Sequence, residues 1–327
     1  MSRVKWAILA TGSIAKRFAE GLKKSETGEL VSVGSRTMES AQAFCEKYGG
    51  NPYGSYASAI EDCDAVYIAT PHHLHEKWTI LCADAGKAIL CEKPFTLDSA
   101  SAERAIAAVR QNGVFFMEAF MYRCHPQVQR ILELVNSGVI GPLQHISSEF
   151  GFAAGADWKN FRTVRELGGG ALMDVGTYCV SMTLLLTGIE PSRAEYSIHR
   201  APAGYDAFGA GLLEFPQGIT ADFRTAIHHN LPNNVTLYGE LGRIIVEEPW
   251  FSEGRIQVIL KDGREEVLEA MGAPDMYALE ADAVAQFMEA KECPYMPINH
   301  TLMLSKTLDR LKMSAGLEFG EVPADMI

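Results

Sequence analysis

Three stretches of this chain carry residue types at spacings suited to chemistry. The first is Glu92-Lys93-Pro94, which closes the apolar run Ala88-Ile89-Leu90-Cys91. A parallel strand buried on both faces reads as a continuous apolar run. Proline, with no N–H and a fixed φ, stops such a ladder. The amine of Lys93 is thus delivered to a strand end, where open α/β sheets bind ligands. The plainer alternative is a lysine snorkelling from the terminus into water. The second stretch is a glycine-led helix, Gly168-Gly169-Gly170 onward to about Leu186, with Asp174 and Tyr178 four apart and so stacked on one face. A carboxylate beneath a phenol on a helix preceded by three glycines is an unusual choice for packing alone; the plainer alternative is a buried phenol that bonds the carboxylate within a core. The third is Ala10-Thr11-Gly12-Ser13-Ile14-Ala15, at a strand-to-helix junction.

That junction is a degenerate glycine-rich dinucleotide fingerprint. Its central glycine, Gly12, would let the backbone approach a pyrophosphate resting on the helix N-terminus. Alanines replace the outer two glycines. A second strand, Leu30 to Gly34, ends in Ser35-Arg36. In this fold an acid there bonds a ribose 2′-OH, whereas an arginine accommodates a 2′-phosphate. Ser35 and Arg36 therefore favour NADP(H) over NAD, with an ordinary surface arginine as the alternative.

The elements that must position these residues alternate. Strands at Val4–Ala10, Leu30–Gly34, Ala65–Ala69, Ala88–Cys91 and Val114–Met117 interleave with helices ending near Leu22, Lys47, Ala85 and Gln111. This βαβ spacing predicts a parallel, doubly wound sheet. The polar strand ends converge on one edge. They make Thr11, Gly12, Ser13, Ile14, Ser35, Arg36, Thr70, Pro71, His72, His75, Glu92, Lys93, Pro94 and Glu118 the candidate cofactor-lining set. His72, His73 and His75 invite a metal assignment, but no carboxylate or cysteine stands at a matching spacing. They read instead as capping or lining residues, and no metal is expected.

After a helix beginning at His125-Pro126 the character changes. Ile219, Ala221, Phe223, Thr225 and Ile227 alternate as one face of a half-buried strand. Pro216-Gln217-Gly218, Gly239-Glu240-Leu241-Gly242 and Lys261-Asp262-Gly263 read as turns. A mainly antiparallel sheet is expected from Pro142 to Leu268, followed by two helices. The expected division is a Rossmann domain over 1–123 and an α/β domain with an open sheet over 124–327. The length of 327 residues agrees, since single cores usually split beyond about 250–300 residues.

A net charge of −12 argues against nucleic-acid or anionic-membrane partners. Seven cysteines with no CxxC pair suit reduced thiols rather than a disulfide framework. Nothing resembles a signal peptide's apolar segment or a membrane span. A cytoplasmic protein is expected.

With Glu92-Lys93-Pro94, the degenerate glycine loop, Met117-Glu118-Ala119-Phe120 and the run Gly169-Gly170-Ala171-Leu172-Met173-Asp174-Val175-Gly176-Thr177-Tyr178 in view, the chain resembles the glucose–fructose oxidoreductase / inositol dehydrogenase (Gfo/Idh/MocA) family. The likeness spans nearly the whole chain. Within the family it is similar to the branch of dimeric dihydrodiol dehydrogenases and NADP-dependent D-xylose 1-dehydrogenases. The resemblance implies hydride transfer between NADP(H) and a sugar or polyol carbinol or carbonyl. It also implies dimerisation through the exposed face of the second sheet and a cis Lys93-Pro94 bond.

By position, Lys93 becomes the catalytic lysine, Tyr178 the acid/base and Asp174 the partner that orients substrate and phenol. Arg123 and Trp158 join Asp174 and Tyr178 as substrate contacts. A free phenol, of pKa about 10, is a poor base near neutrality, and an ammonium at Lys93 would favour phenolate. The chain departs from the branch at Cys124-His125, where an aromatic-rich segment usually borders the substrate cleft. The alternatives are an NADPH-dependent reductase of keto- or anhydro-sugars and a non-catalytic NADP(H) sensor.

Overall fold

The computed structural model describes residues 3–155, 160–272 and 275–320. The chain divides into two compact units: Met1–Cys124 with Ala273–Thr301, and His125–Gly272 with Leu302–Ile327.

The first unit holds a sheet of strands β1 (Val4–Leu9), β2 (Gly28–Gly34), β3 (Asn51–Tyr53), β4 (Ala65–Ile68), β5 (Ala88–Glu92) and β6 (Phe116–Ala119). Their order is β3-β2-β1-β4-β5-β6, and every pair is parallel. Helices α1 (Ser13–Leu22), α2 (Met38–Tyr48), α3 (Tyr56–Ala59), α4 (His75–Asp84) and α5 (Ser99–Asn112) make the connections. Sheet order reverses between β1 and β4, so ligands are expected at the carboxyl ends of these strands. The apolar runs have their explanation in burial: Val66, Tyr67, Ile68, Ile89, Leu90 and Cys91 are all 0% exposed. β6 begins two residues later than the sequence suggests, which places Glu118 inside the strand instead of beyond it.

The helix Met276–Phe287 also belongs to this unit. It lies so close to α1 that a Cβ on Gly21 would sit 2.5 Å from the Cβ of Tyr277. Lys24 pairs with Asp275 at 2.8 Å, and the hydroxyls of Ser25 and Thr27 each donate to Asp282 at 2.5 Å. A single cut after Arg123 would leave this helix with the second half, whereas its polar and apolar contacts lie with α1.

The second unit is built on β7 (Leu143–Gly151), β8 (Arg193–Arg200), β9 (Asp206–Glu214), β10 (Thr220–Ala226), β11 (Asn234–Gly239), β12 (Gly242–Glu247), β13 (Ile256–Leu260) and β14 (Glu265–Leu268). The order is β14-β13-β12-β11-β7-β10-β9-β8. Only β7 and β10 run parallel; the other pairs are antiparallel. The alternation read from Ala221, Phe223 and Thr225 holds, with all three at or below 1% exposure. Helices α6 (Pro126–Asn136) and α7 (Thr177–Thr187) complete the part of this unit that matters for the site. The stretch Arg165–Thr187 is long and apolar enough to cross a membrane by composition, but 89% of its most apolar window is buried, as befits a core helix.

Candidate active site

At the carboxyl edge of the parallel sheet, β1 hands the chain to α1 through Ala10, Thr11 and Gly12. Gly12 caps α1 at φ −68° and ψ −177°, with no side-chain cap and no acid in the first turn. A Cβ added there would meet nothing within 4 Å. The first amides of α1 are therefore open to an anion, and the turn fits the pyrophosphate of a dinucleotide. Ala10, standing where the fingerprint has its first glycine, holds a left-handed φ of 90°. Gly12 and Ser13 are exposed, and Thr11 and Ile14 are half-buried. At the end of β2, Ser35 is 6% exposed and its N–H donates to Tyr53 O at 3.0 Å. Arg36 is exposed beside it. The next residue, Thr37, caps α2, so a guanidinium stands where an acid would read a ribose hydroxyl.

Lys93 is half-buried and leads a strap held from several sides. The Lys93-Pro94 bond is cis. Lys93 N–H donates to Glu92 Oε2 at 3.2 Å, and Tyr67 O–H donates to Glu92 Oε1. Phe95 N–H donates to Glu118 Oε1 at 2.9 Å. His75, 0% exposed, sets Nδ1 3.2 Å from Pro94 O and 3.0 Å from Phe95 O, and Nε2 2.7 Å from Thr70 O. Its ring thus ties the end of β4 to the strap after β5. Burial pushes it down to about 4 while the carbonyls pull the other way. Burial pushes Glu118 up to about 7. Thr70 and His72 are each 5% exposed, and Pro71 is half-buried.

In the second unit the three glycines expected to open a helix lie outside it. Gly170 N–H donates to Arg162 O at 2.8 Å, and Gly169 N–H to Val164 O at 3.0 Å. A Cβ on Gly169 would sit 2.5 Å from Arg162 O. The glycines therefore let the segment 162–164 lie directly on 169–170. The helix starts at Ala171, and its first turn is a π turn over Leu172–Gly176. Such turns are rare and gather at functional sites. The wider turn alters the regular α spacing expected between Asp174 and Tyr178.

Asp174 is 4% exposed and accepts from Arg162 Nε at 2.7 Å. Arg162 is thus the counter-ion of Asp174. Its guanidinium also lies 4.7 Å from the ring centroid of Phe161. The Tyr178 ring meets Phe150 edge-on at 5.2 Å and Trp250 at 6.0 Å. Trp250 is itself fixed by donating from Nε1 to Glu149 O at 3.0 Å.

Arg123, read as a substrate contact, is 1% exposed. Its Nη1 donates to Tyr295 O at 3.3 Å and lies 3.1 Å from His300 Nδ1. Its cation is committed inside the first unit because residues 273–301 return there. Trp158, the other expected substrate contact, lies outside the described residues. No pattern in the sequence signals Glu280, a 0% exposed carboxyl with no hydrogen-bond partner at either oxygen among the described residues. Burial and the neighbouring Glu92 hold it well above the usual carboxylate range.

Comparison with known proteins bears on both units. Residues 4–120 match the family model described as an oxidoreductase family with an NAD-binding Rossmann fold, and residues 128–245 match the GFO/IDH/MocA C-terminal domain. A trans-1,2-dihydrobenzene-1,2-diol dehydrogenase from Xenopus laevis is 30% identical over 96% of this chain and 99% of its own length. Among solved structures, a 3-ketoreductase from Actinomadura kijaniata in complex with NADP and TDP-benzene superposes with a TM-score of 0.87 at 28% identity, over 96% of this chain and 98% of that one. An aldose-aldose oxidoreductase from Caulobacter crescentus complexed with glycerol gives 0.88 at 26% identity, with the same coverage of 96% and 98%.

Proposed function

The chain belongs to the GFO/IDH/MocA oxidoreductase family, and from that premise we propose that it transfers hydride between NADP(H) and a carbinol or carbonyl carbon of a sugar or polyol. The observation that carries the reading is the clamped strap after β5. It delivers Lys93 to the same sheet edge as the open Gly12 turn. NADP(H), when bound, accepts or supplies the hydride. Gly12 and the first amides of α1 would hold its pyrophosphate, Ser35 and Arg36 its 2′-phosphate, and Thr70, Pro71 and His72 would line the β4 end. The exposed Arg36, together with NADP in the related ketoreductase's complex, supports the choice of NADP(H) over NAD.

In this reading Lys93 donates a hydrogen bond to the substrate oxygen and stabilises the charge that gathers there. Tyr178, as phenolate, takes the proton of the substrate hydroxyl in oxidation and, as phenol, returns it in reduction. Asp174, already neutralised by Arg162, accepts from a substrate hydroxyl. Reduction of a keto-sugar is the second direction, and the ketoreductase relative favours it. We also assign a cytoplasmic homodimer through the outer face of the second sheet, where Tyr238 is 39% and Val267 46% exposed. Charge introduced at both positions should leave a monomer in sedimentation.

The decisive test is an absorbance screen at the nicotinamide band. Aldoses, inositols and dihydrodiols would be offered with NADP+, and keto-sugars with NADPH. Turnover of at least one carbohydrate is expected. Tight NADPH binding without turnover on any of them would overturn the enzymatic reading.

A further inference from the structure

We propose that Asp206 is the positioning residue for the helix carrying Asp174 and Tyr178, acting through a buried platform with Tyr196 and Thr225; this rests on the reading of Tyr178 as the proton carrier. Asp206, Tyr196 and Thr225 stand on β9, β8 and β10 and are 1%, 3% and 0% exposed. Leu172 N–H donates to Asp206 Oδ2 at 2.7 Å, across 34 residues of sequence. Tyr196 O–H reaches the same oxygen at 2.8 Å and lies 2.9 Å from Thr225 Oγ1.

Two backbone positions record how closely the helix is seated. Gly170, at φ +122°, lies where a Cβ would come 1.8 Å from Asp206 Oδ1. At Gly176 a Cβ would come 2.9 Å from Thr225 Cγ2. The platform therefore touches the π turn at both ends, at Leu172 and at Gly176. Asp174 lies between these contacts, and Tyr178 follows the second by two residues. Room for the Tyr196 ring is made at Gly209, where a Cβ would sit 2.0 Å from its hydroxyl oxygen.

An ordinary helix cap would not need this arrangement. Caps come from a short polar side chain at the helix's own first residue, whereas the residue preceding the π turn here is Ala171, with no side-chain cap. A partner from the sheet below fixes both the start of the helix and its rotation about its axis. That rotation sets where the phenol of Tyr178 points. Displacing a catalytic group by about 1 Å costs on the order of 100-fold in rate.

The test compares Asp206→Asn, Tyr196→Phe, Tyr178→Phe and the double variants that add Tyr178→Phe to each of the first two. Folding is followed by circular dichroism and NADPH affinity by fluorescence. Asp206→Asn is expected to bind NADPH normally and keep KM within about threefold, yet lose about 100-fold in kcat. Tyr196→Phe removes one donor and leaves the carboxylate in place, and is expected to lose severalfold in kcat. On the Tyr178→Phe background neither change should reduce kcat by more than about threefold, because the phenol is the group through which the platform acts on turnover, whereas a shift of Asp174 would be read in KM. If Asp206→Asn does not fold, Tyr196→Phe decides alone. Unchanged kcat in a folded Asp206→Asn or Tyr196→Phe, beside an impaired Tyr178→Phe, overturns the positioning role. Full losses that multiply in the double variants overturn it as well. Normal turnover in Tyr178→Phe overturns instead the reading of Tyr178 itself.

Discussion

Lys93 and Tyr178 are placed by opposite means. Lys93 stands one residue past a strand whose neighbours in the sheet are fixed by a parallel ladder, and its strap is tied through main-chain atoms: the N–H groups of Lys93 and Phe95 and the carbonyls of Pro94 and Phe95. Tyr178 stands on a helix, held through side chains of three other strands. A strand end inherits its position from the sheet. A helix must be told its rotation from outside. The first arrangement leaves a mark in the local sequence and the second does not.

The largest effect should come from breaking the strand-end side. Lys93→Met is expected to lose about 1,000-fold in kcat, the upper range for removing one preorganised donor, while NADPH still binds. Near-normal turnover would remove Lys93 from the chemistry. Next, Arg36→Ala should weaken NADPH by about 10- to 100-fold, as expected for one hydrogen bond to a charged group, and leave NADH unchanged in the same titration. Equal weakening of the two cofactors would refute discrimination at this position.

The clamp itself has a pH signature. Glu118 is raised from 4.5 to about 7 in the fold, so the native state binds more protons than the unfolded state across that window. Its contribution to stability therefore falls as pH rises from about 4.5 to 7. His75 is lowered from 6.5 to about 4, and its contribution rises as pH climbs through that range. Subtracting the stability curve of the parent from that of Glu118→Gln removes the His75 contribution. The variant should gain relative stability between pH 5 and 8, by up to about 3 kcal/mol, since each tenfold change in proton affinity is worth about 1.4 kcal/mol. A flat difference in denaturant titrations would contradict the upward shift of Glu118.

The smallest effect belongs to Ala10→Gly. Relief of the left-handed φ should stabilise the chain by about 1 kcal/mol. Destabilisation in the same titrations would show that the alanine conformation carries no strain.

Much of the first unit was legible because each signal was local. Continuous apolar runs marked buried strands, and Pro94 and Gly12 marked where they stopped. The position of Glu118 was less clear, since Val114 and Phe115 read as strand although β6 begins only at Phe116. The second sheet was legible from alternation and turns. Three things were not. Residues 276–287 read as a helix after the second sheet, but nothing in them says against which core they pack. The π turn is seated against Asp206 and Thr225, which come from distant strands. The burial of Arg123 depends on Tyr295 and His300, more than 170 residues away. Long-range partners of this kind leave no periodicity to read.

The interleaved division of the chain bears on how the protein is made. Residues 273–301, which complete the first unit, leave the ribosome after the whole stretch 125–272 of the second. The second unit in turn waits for residues from 302 onward. Until then the α1 surface around Gly21, Lys24, Ser25 and Thr27 lacks the helix that covers it. Domains that fold as contiguous blocks can finish in order of synthesis. Here the nascent parallel sheet must remain soluble while more than half the chain is still to come, and the two units reach completion almost together.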